Sequence, residues 1–375
     1  MNVLFDGQAF VYQTTGGVSR YFANLVAGLD ALPGCSAHVV APLHRNAHLR
    51  AEPGRLVHGL GLPPAWSSDR LCWFATRALS PALSRLLPAD VVHETYVCPK
   101  PYLTRARRRV TTMFDMIHEI YWPGHFTTAH KRASIARCDH IICISHATRA
   151  DLCERLDVAP ERTSVVHLGY LDCSGLDAAG APAEFASGLA PERTGELRGA
   201  PYFLYVGQRG DYKNFASLLR AWATASDLVR DVRLVCFGGG PFTTDELALA
   251  TSLGLDDRRL LQTGGSDAAL AAAYRHAVAL VYPSLYEGFG LPPLEAMSAG
   301  CPVLCSDTSS LPEVVGDAAI TFAPRDIEAI RAAMRHVAYS ADVRHDLVQR
   351  GHARRRQFSW QRCASETLAV YRRLN

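Results

Sequence analysis

Tyr286-Glu287-Gly288-Phe289-Gly290-Leu291-Pro292-Pro293-Leu294-Glu295-Ala296 is the stretch that decides how this chain is read. Upstream, Ala279-Leu280-Val281-Tyr282-Pro283-Ser284 has the character of a buried strand. Downstream, Leu294 to Ala299 has helical character, and Pro292 or Pro293 suits a first helical turn, where a missing N–H costs nothing. The predicted order is strand, glycine turn, helix. Such a turn aims backbone N–H groups and the positive helix end at an anion, typically a phosphate. Glu287 then stands in the loop beside that anion, and Glu295 about one turn inside the helix. A bare Glu-x7-Glu would be a loop charge and a surface helix residue. This one encloses Gly-Phe-Gly-Leu-Pro-Pro and has company elsewhere in the chain.

With 375 residues and 40.9 kDa, the chain is too long for one ordinary core, and two domains are expected. Hydrophobic residues make up 48% and charged residues 20%, a globular balance, and a net charge of +3 gives no argument for nucleic acid. Charge is concentrated locally at Arg105, Arg107, Arg108 and Arg109 and at Arg354, Arg355 and Arg356. These clusters are either solvated surface or a peripheral contact with anionic lipid headgroups or a lipid diphosphate. The 11 cysteines lack paired Cys-x-x-Cys spacing, and Cys143, Cys236 and Cys305 lie in apolar runs. Buried free thiols in a reducing compartment are the expectation. No 18-residue apolar run or signal peptide is evident, so a cytoplasmic location is expected, peripheral at most to the inner face of the membrane.

Short β-type runs alternate with helical segments, the pattern of parallel α/β sheets. Strands are predicted at about Val3–Asp6, His38–Ala41, Val91–Glu94, Val110–Phe114, His140–Ser145 and Ser164–Leu168. Leu171 to Ala200, rich in Ala, Gly and Pro, reads as a linker plus a surface excursion. The alternation resumes with Tyr202–Val206, Arg233–Phe237, Leu260–Thr263, Ala279–Tyr282, Val303–Ser306 and Ile320–Phe322, and a last helix spans roughly Trp360 to Arg373. Two doubly wound sheets imply ligand at the carboxyl ends of the strands, in a cleft between domains.

Three further segments fall where a phosphate-bearing ligand would need them. Gly16-Gly17-Val18-Ser19-Arg20 follows the first strand and opens a helix; its glycines permit close backbone approach, though a plain turn explains them too. Tyr205-Val206-Gly207-Gln208-Arg209-Gly210-Asp211-Tyr212-Lys213-Asn214 follows the first strand of the second half. Arg209 offers a fork for two phosphate oxygens and Lys213 a point charge. Gly238-Gly239-Gly240-Pro241 could border a nucleobase or ribose, or simply turn. Beyond the carboxylate motif, Ser309-Ser310-Leu311-Pro312-Glu313 looks like another helix start.

Taken in order and spacing, Gly-Gly-Val-Ser-Arg, Arg209…Lys213, Glu287…Glu295 and Pro312-Glu313-Val314 resemble family 4 retaining glycosyltransferases, across nearly the whole chain. The resemblance implies an α/β chain of GT-B architecture: two Rossmann-like, doubly wound domains facing a cleft. Residues 1–190 would form the acceptor-binding domain and residues 201–357 the donor-binding domain, with 358–375 a helix crossing back to the first. By the same resemblance Arg209 and Lys213 neutralise the donor diphosphate. Glu287 holds sugar hydroxyls, helped by backbone groups of Phe289, Gly290 and Leu291. Glu295 binds the ribose, Gly207 shapes the donor loop, and Gly17 lets the first domain approach the phosphates. Many relatives carry a histidine where this chain has Phe114, so no histidine role is assigned there. Asp115, His118 and Glu119 are candidates for acceptor or donor-sugar contact or for structural roles. His93 either faces the cleft or caps a strand end, and Ser145 either caps a helix or touches the acceptor.

The chemistry implied is loss of a nucleoside diphosphate, which needs preorganised positive charge at the β-phosphate. No Asp-x-Asp motif and no spacing for metal ligands is found, so neither metal nor other cofactor is expected. The two glutamates are not a glycosidase pair, because Glu295 is given to the ribose. Retention of anomeric configuration follows from the resemblance, with attack on the leaving-group face. The expected partners are a nucleotide-sugar, most readily GDP-mannose or a GDP-deoxysugar, and a glycan or lipid-linked glycan acceptor of surface polysaccharide assembly. A UDP-sugar donor and a non-catalytic nucleotide-binding scaffold are the alternatives. A pyridoxal-phosphate phosphorylase would need a dedicated lysine, an epimerase would need no acceptor, and an NAD enzyme would need Gly-x-Gly-x-x-Gly after the first strand.

Overall fold

The computed structural model describes residues 1–63, 68–176, 200–256 and 258–375. Apolar runs of four to six residues, each followed by a helix, cannot pair through tight turns. They line up in parallel instead, with helical crossovers between them. The result is two units, Met1–Gly169 together with Phe358–Asn375, and Tyr170–Gln357.

The first unit carries a seven-stranded sheet of order β3-β2-β1-β4-β5-β6-β7. Its strands are β1 Asn2–Asp6, β2 Ser36–His44, β3 Val57–Gly61, β4 Val91–Glu94, β5 Arg108–Met113, β6 His140–Cys143 and β7 Thr163–Val165. Every pairing in it is parallel. The chain builds outward from β1 through β2 and β3, then returns to the other side of β1 with β4. The switch point therefore lies between β1 and β4.

In the second unit β8 Tyr202–Val206, β9 Arg233–Phe237, β10 Leu260–Thr263, β11 Ala279–Tyr282, β12 Val303–Ser306 and β13 Ile320–Phe322 make a six-stranded sheet. Its order is β10-β9-β8-β11-β12-β13, so the switch point lies between β8 and β11. These six strands have the predicted bounds. Their cover is a core of Phe203, Tyr205, Leu218, Trp222, Leu234, Val281, Ile330 and Met334. Trp222 is wholly buried and its indole N–H reaches the Val232 carbonyl at 3.2 Å, so its area leaves water without an orphaned donor.

Strand β3 is a correction to the sequence reading, which has no strand there. Val-His-Gly-Leu-Gly at a sheet edge lacks an apolar run, and β3 pairs with β2 across a register shift between Val40 and Leu43. A Cβ on Gly59 would overlap the Ala41 carbonyl, so the close approach needs glycine. Strand β6 also ends earlier than predicted, because Ser145 starts a helix. Residues 177–199, which include most of the predicted linker and residue 190, lie outside the described residues.

The helix Trp360–Leu374 belongs to the first unit. Its buried stripe of Cys363, Ala364, Thr367, Leu368 and Tyr371 packs on the helix Gly17–Asp30. A Cβ on Gly28 would come within 2.8 Å of the Ala364 side chain. All 11 cysteines are unpaired, and all but Cys35 and Cys153 are buried. Among the described residues no helix is long and apolar enough to cross a membrane.

Candidate active site

The switch point of the second sheet is framed by the loops that leave β8 and β11, and both carry predicted site residues. After β11, Pro283 ends the strand and the chain reaches Gly290, which stands at φ 107° before the helix Leu291–Ser298. That backbone conformation favours glycine, and a Cβ there would meet Leu311 Cδ2 at 2.7 Å. Pro292 and Pro293 fill the first turn as predicted, where their missing N–H groups forfeit no bond.

A strap from the next crossover holds this loop. The Glu287 N–H donates to Ser309 Oγ at 2.9 Å, and Ser310 Oγ lies 2.8 Å from both the Glu287 and Phe289 carbonyls. Thr308 Oγ1 reaches the Leu285 carbonyl at 3.2 Å. The Ser309-Ser310 segment does precede a helix, Leu311–Val315. Its second task, fixing the glutamate loop, carries no local sequence signal.

Across the switch point, Lys213 Nζ lies 2.7 Å from Glu287 Oε1 and 3.3 Å from the Tyr282 hydroxyl. Both side chains of the pair are largely buried, 15% and 10% exposed, which strengthens their attraction relative to a surface ion pair. Burial, and then the Glu287 charge, push the Tyr282 phenol well above its usual range, so it stays a neutral donor. The Leu285 N–H donates to the Tyr212 carbonyl at 2.7 Å, tying the two loops at backbone level. Asn214, at φ 57°, donates to the carbonyls of Pro283 at 2.9 Å and Pro324 at 2.6 Å. Asparagine tolerates this left-handed conformation and its amide fixes the loop that presents Lys213.

Arg209 is placed differently from Lys213. Its Nε pairs with Glu246 Oε1 at 2.9 Å, while Nη1 and Nη2 donate to the carbonyls of Gly238, Gly240 and Pro241 at 3.1, 2.9 and 2.8 Å. The guanidinium also lies 4.8 Å from the Phe242 ring centre. Gly238, Gly239 and Gly240 all have positive φ, and a Cβ on Gly239 would meet Arg209 Nη1 at 2.8 Å. The glycine run therefore wraps the arginine head group. Glu246 also caps its own helix by accepting the Thr243 N–H at 2.7 Å. Arg209 and Lys213 thus flank the switch point paired with different carboxylates.

Glu295 is buried rather than a surface residue, and Tyr274 donates to its Oε2 at 3.1 Å. Burial and the Glu295 charge push the neighbouring Cys173 thiol up to about 12. Gly207 at φ 110° turns the chain out of β8, and Phe289 is buried beneath the loop. Leu291 is the first residue of its helix. In the first unit, Gly17 opens the helix Gly17–Asp30 with free space where a side chain would stand, so packing does not demand glycine there.

Two candidates of the first unit are core residues. His93 is wholly buried, with Nδ1 2.5 Å from the Tyr371 hydroxyl and Nε2 2.9 Å from Thr112 Oγ1, and burial depresses its imidazole to about 3. Ser145 is a helix cap, accepting the Thr148 N–H at 2.9 Å. His93 lies inside β4 and caps no strand end, while Ser145 is the helix cap that one of its two readings gave. Glu119 is paired with Lys131 at 2.7 Å and accepts from Thr128 at 2.7 Å. Burial opposes ionisation of this carboxyl, but those hydrogen bonds outweigh it and hold it below its ordinary value. His118 stacks on His125 with centres 4.5 Å apart, and burial lowers its imidazole. Asp115 accepts the Ile117 N–H at 3.0 Å and stays partly exposed at the end of β5. Phe114 packs edge-on against Tyr21 at 5.2 Å.

The basic clusters are also thinner than their sequence suggests. Arg109 turns inward to Glu94 at 2.9 Å, beside Arg137, which holds the same carboxylate. Arg354 donates to the Val314 and Glu313 carbonyls, and Arg355 to Tyr170 and Asp172.

Residues 15–170 match the family described as Glycosyltransferase Family 4, and residues 190–354 that described as Glycosyl transferases group 1. The chain is 31% identical, over all of both sequences, to O-antigen chain mannosyltransferase B of Escherichia coli. Among solved structures, sucrose-phosphate synthase of Thermosynechococcus elongatus has a TM-score of 0.74 at 19% identity, covering 100% of this chain and 99% of that one. WaaG, a glycosyltransferase involved in lipopolysaccharide biosynthesis, has a TM-score of 0.71 at 16% identity, covering 99% of each. The two parallel sheets and these matches converge: the chain belongs to the family 4/group 1 glycosyltransferases and is a glycosyltransferase of GT-B fold.

Proposed function

We propose that the chain transfers a mannosyl or related deoxysugar residue from a GDP-sugar to a growing, lipid-linked glycan of a bacterial surface polysaccharide, with retention and without a metal. The observation that carries this reading is the Lys213–Glu287 pair, 2.7 Å apart beside the helix start at Leu291. Lys213 supplies positive charge to the β-phosphate as the anomeric C–O bond breaks and its electron pair moves to the phosphate oxygen. Glu287 accepts sugar hydroxyls, and the backbone at Phe289, Gly290 and Leu291 faces the anion. Glu295 takes the ribose side, and Arg209 strengthens the diphosphate site once its guanidinium exchanges Glu246 for phosphate. The acceptor hydroxyl attacks the anomeric carbon on the leaving-group face and passes its proton to the departing phosphate oxygen. Gly17 offers an unobstructed backbone for close approach to phosphate. The mannosyl choice is supported by the relative named as an O-antigen mannosyltransferase.

A cytoplasmic site of action, peripheral to the inner membrane face, suits a lipid-linked acceptor. The exposed arginines Arg105, Arg107 and Arg356 remain available for anionic headgroups. Metal-free calorimetric titration with GDP, UDP, ADP and dTDP tests the donor site, repeated on Lys213→Ala. Micromolar binding of GDP, weakened in the variant, is expected. Preferential UDP binding would transfer the reading to a UDP-sugar, GDP binding without turnover would favour the non-catalytic scaffold, and no binding of any nucleotide would overturn the donor site. Loss of turnover in EDTA that magnesium or manganese restores would overturn metal independence.

A further inference from the structure

The switch point of the first sheet, between β1 and β4, carries a group of aromatic side chains that the donor site does not use. Tyr12 ends the helix Gln8–Tyr12 that follows β1, Tyr96 lies just past β4, and Asp115 just past β5. All three stand at carboxyl ends of adjacent strands, where an open α/β sheet places its ligand. Tyr12 is 54% exposed, although it is held in place on two sides. Its ring centre lies 5.5 Å from that of Tyr96 with planes tilted by 44°, and its hydroxyl accepts the Trp73 indole N–H at 3.1 Å. Trp73 is held in turn by the Arg77 guanidinium, 5.4 Å from its ring centre. Asp115 follows β5, the strand paired with β4, and burial, then the Asp115 charge and Tyr12, raise the Tyr96 phenol above its usual value.

The loops bearing these rings are locked from below. Asp6, wholly buried, accepts from the Thr95 hydroxyl at 2.6 Å, the Thr95 N–H at 3.1 Å and the Gln8 amide at 2.6 Å. Thr95 Oγ1 also accepts the Ala9 N–H at 3.0 Å. Burying a carboxylate is costly, and this one, pushed up to about 6, is retained where it ties the Tyr12 loop to the Tyr96 loop. An exposed Tyr12 flanked by half-buried Tyr96 and Trp73, backed by a buried polar network, is the arrangement of a preorganised binding surface.

We infer that Tyr12, Tyr96 and Trp73, with Asp115 at their edge, form a stacking platform for a pyranose ring of the acceptor glycan. A pyranose offers a face of C–H groups, which packs on the electron-rich face of an aromatic ring, and a rim of hydroxyls, which donate to a carboxylate. A phosphate fits less well, because Asp115 is a carboxylate whose neighbouring cation Lys131, 3.7 Å away, is buried and shared with Glu119. The inference rests on the proposed transferase reading for its substrate class, but its test does not depend on turnover.

Binding of α-mannotriose is followed by intrinsic fluorescence and calorimetry in the wild type, Tyr12→Ala, Tyr12→Phe and Tyr96→Ala, alongside GDP titration of each. The expected result is mannotriose binding by the wild type, weakened at least tenfold by either alanine and largely restored in Tyr12→Phe, with GDP affinity unchanged. Where an acceptor assay is available, its KM rises by the same factor while kcat falls far less. Equal mannotriose affinity in the wild type and both alanine variants, or no mannotriose binding by the wild type, overturns the platform. Failure of GDP to bind the wild type, with mannotriose binding still lost in Tyr12→Ala, sinks the donor assignment and leaves the platform standing.

Discussion

Replacing Lys213 with alanine removes the cation that, among the described residues, pairs with Glu287, 2.7 Å away. At that separation and an effective dielectric near 20, the gross attraction is roughly 6 kcal/mol, most of it offset by the cost of desolvating two largely buried groups. Truncation leaves Glu287 without its counter-charge, so the second unit is expected to lose about 2–3 kcal/mol, less than the total stability of a typical domain. The catalytic effect is larger in consequence. Removing one preorganised donor to a developing oxyanion costs about 2.7–4 kcal/mol of transition-state stabilisation, or on the order of a hundredfold to a thousandfold in turnover. The assay is nucleoside diphosphate release from saturating donor and acceptor, with urea unfolding in parallel. The double variant Lys213→Ala/Glu287→Gln separates the two roles, because it relieves the unpaired carboxylate and recovers stability. It must remain at least a hundredfold impaired. Turnover within tenfold of the wild type in Lys213→Ala, or recovered turnover in the double variant, would refute the electrostatic role.

Glu246→Gln keeps the helix cap but removes the charge that competes for Arg209, so GDP affinity is expected to rise about threefold to tenfold; weaker binding would mean that Glu246 aims the arginine instead. Ser310→Ala cuts the strap to the Glu287 and Phe289 carbonyls. It should lower kcat/KM for the donor about tenfold with a fall of only a few degrees in Tm, and an unchanged kcat/KM would show the loop to be rigid without it. His93 titrates near 3 in the fold against 6.5 in the unfolded chain. Its folded value is the lower one, so its contribution is complete above about pH 6.5 and is lost as pH falls toward 3, about 2 kcal/mol between pH 6.5 and pH 5. Urea unfolding at those two pH values should show that loss in the wild type and not in His93→Asn; an equal loss in both would place the proton elsewhere.

The six strands of the second half were legible residue for residue; most of them are buried on both faces and so read as apolar runs between turn residues, a wholly local signal, while β13 is a short edge strand with Thr321 exposed. The glycine turn and proline-opened helix after β11 were legible for the same reason: φ near +107° at Gly290 and a proline in a first turn are properties of the residues themselves. Strand β3 was not, since an edge strand with two glycines has no apolar pattern and exists only because β2 lies beside it. The candidate site divides along the same line. The expectation that Arg209 and Lys213 meet a diphosphate comes from residue type and neighbouring turns, and that of Glu287 and Glu295 holding sugar and ribose hydroxyls from the family resemblance. Which carboxylate each cation meets could not be read there, and neither could the strap from Ser309 and Ser310, nor the burial of His93 between Tyr371 and Thr112. Those partners are 19 to 278 residues apart in sequence. Contact between them depends on strand order, which places β8 against β11 and folds the last helix onto β4's unit. Local chemistry sets which residues can bind phosphate; only the switch of strand order in each sheet decides which of them stand together.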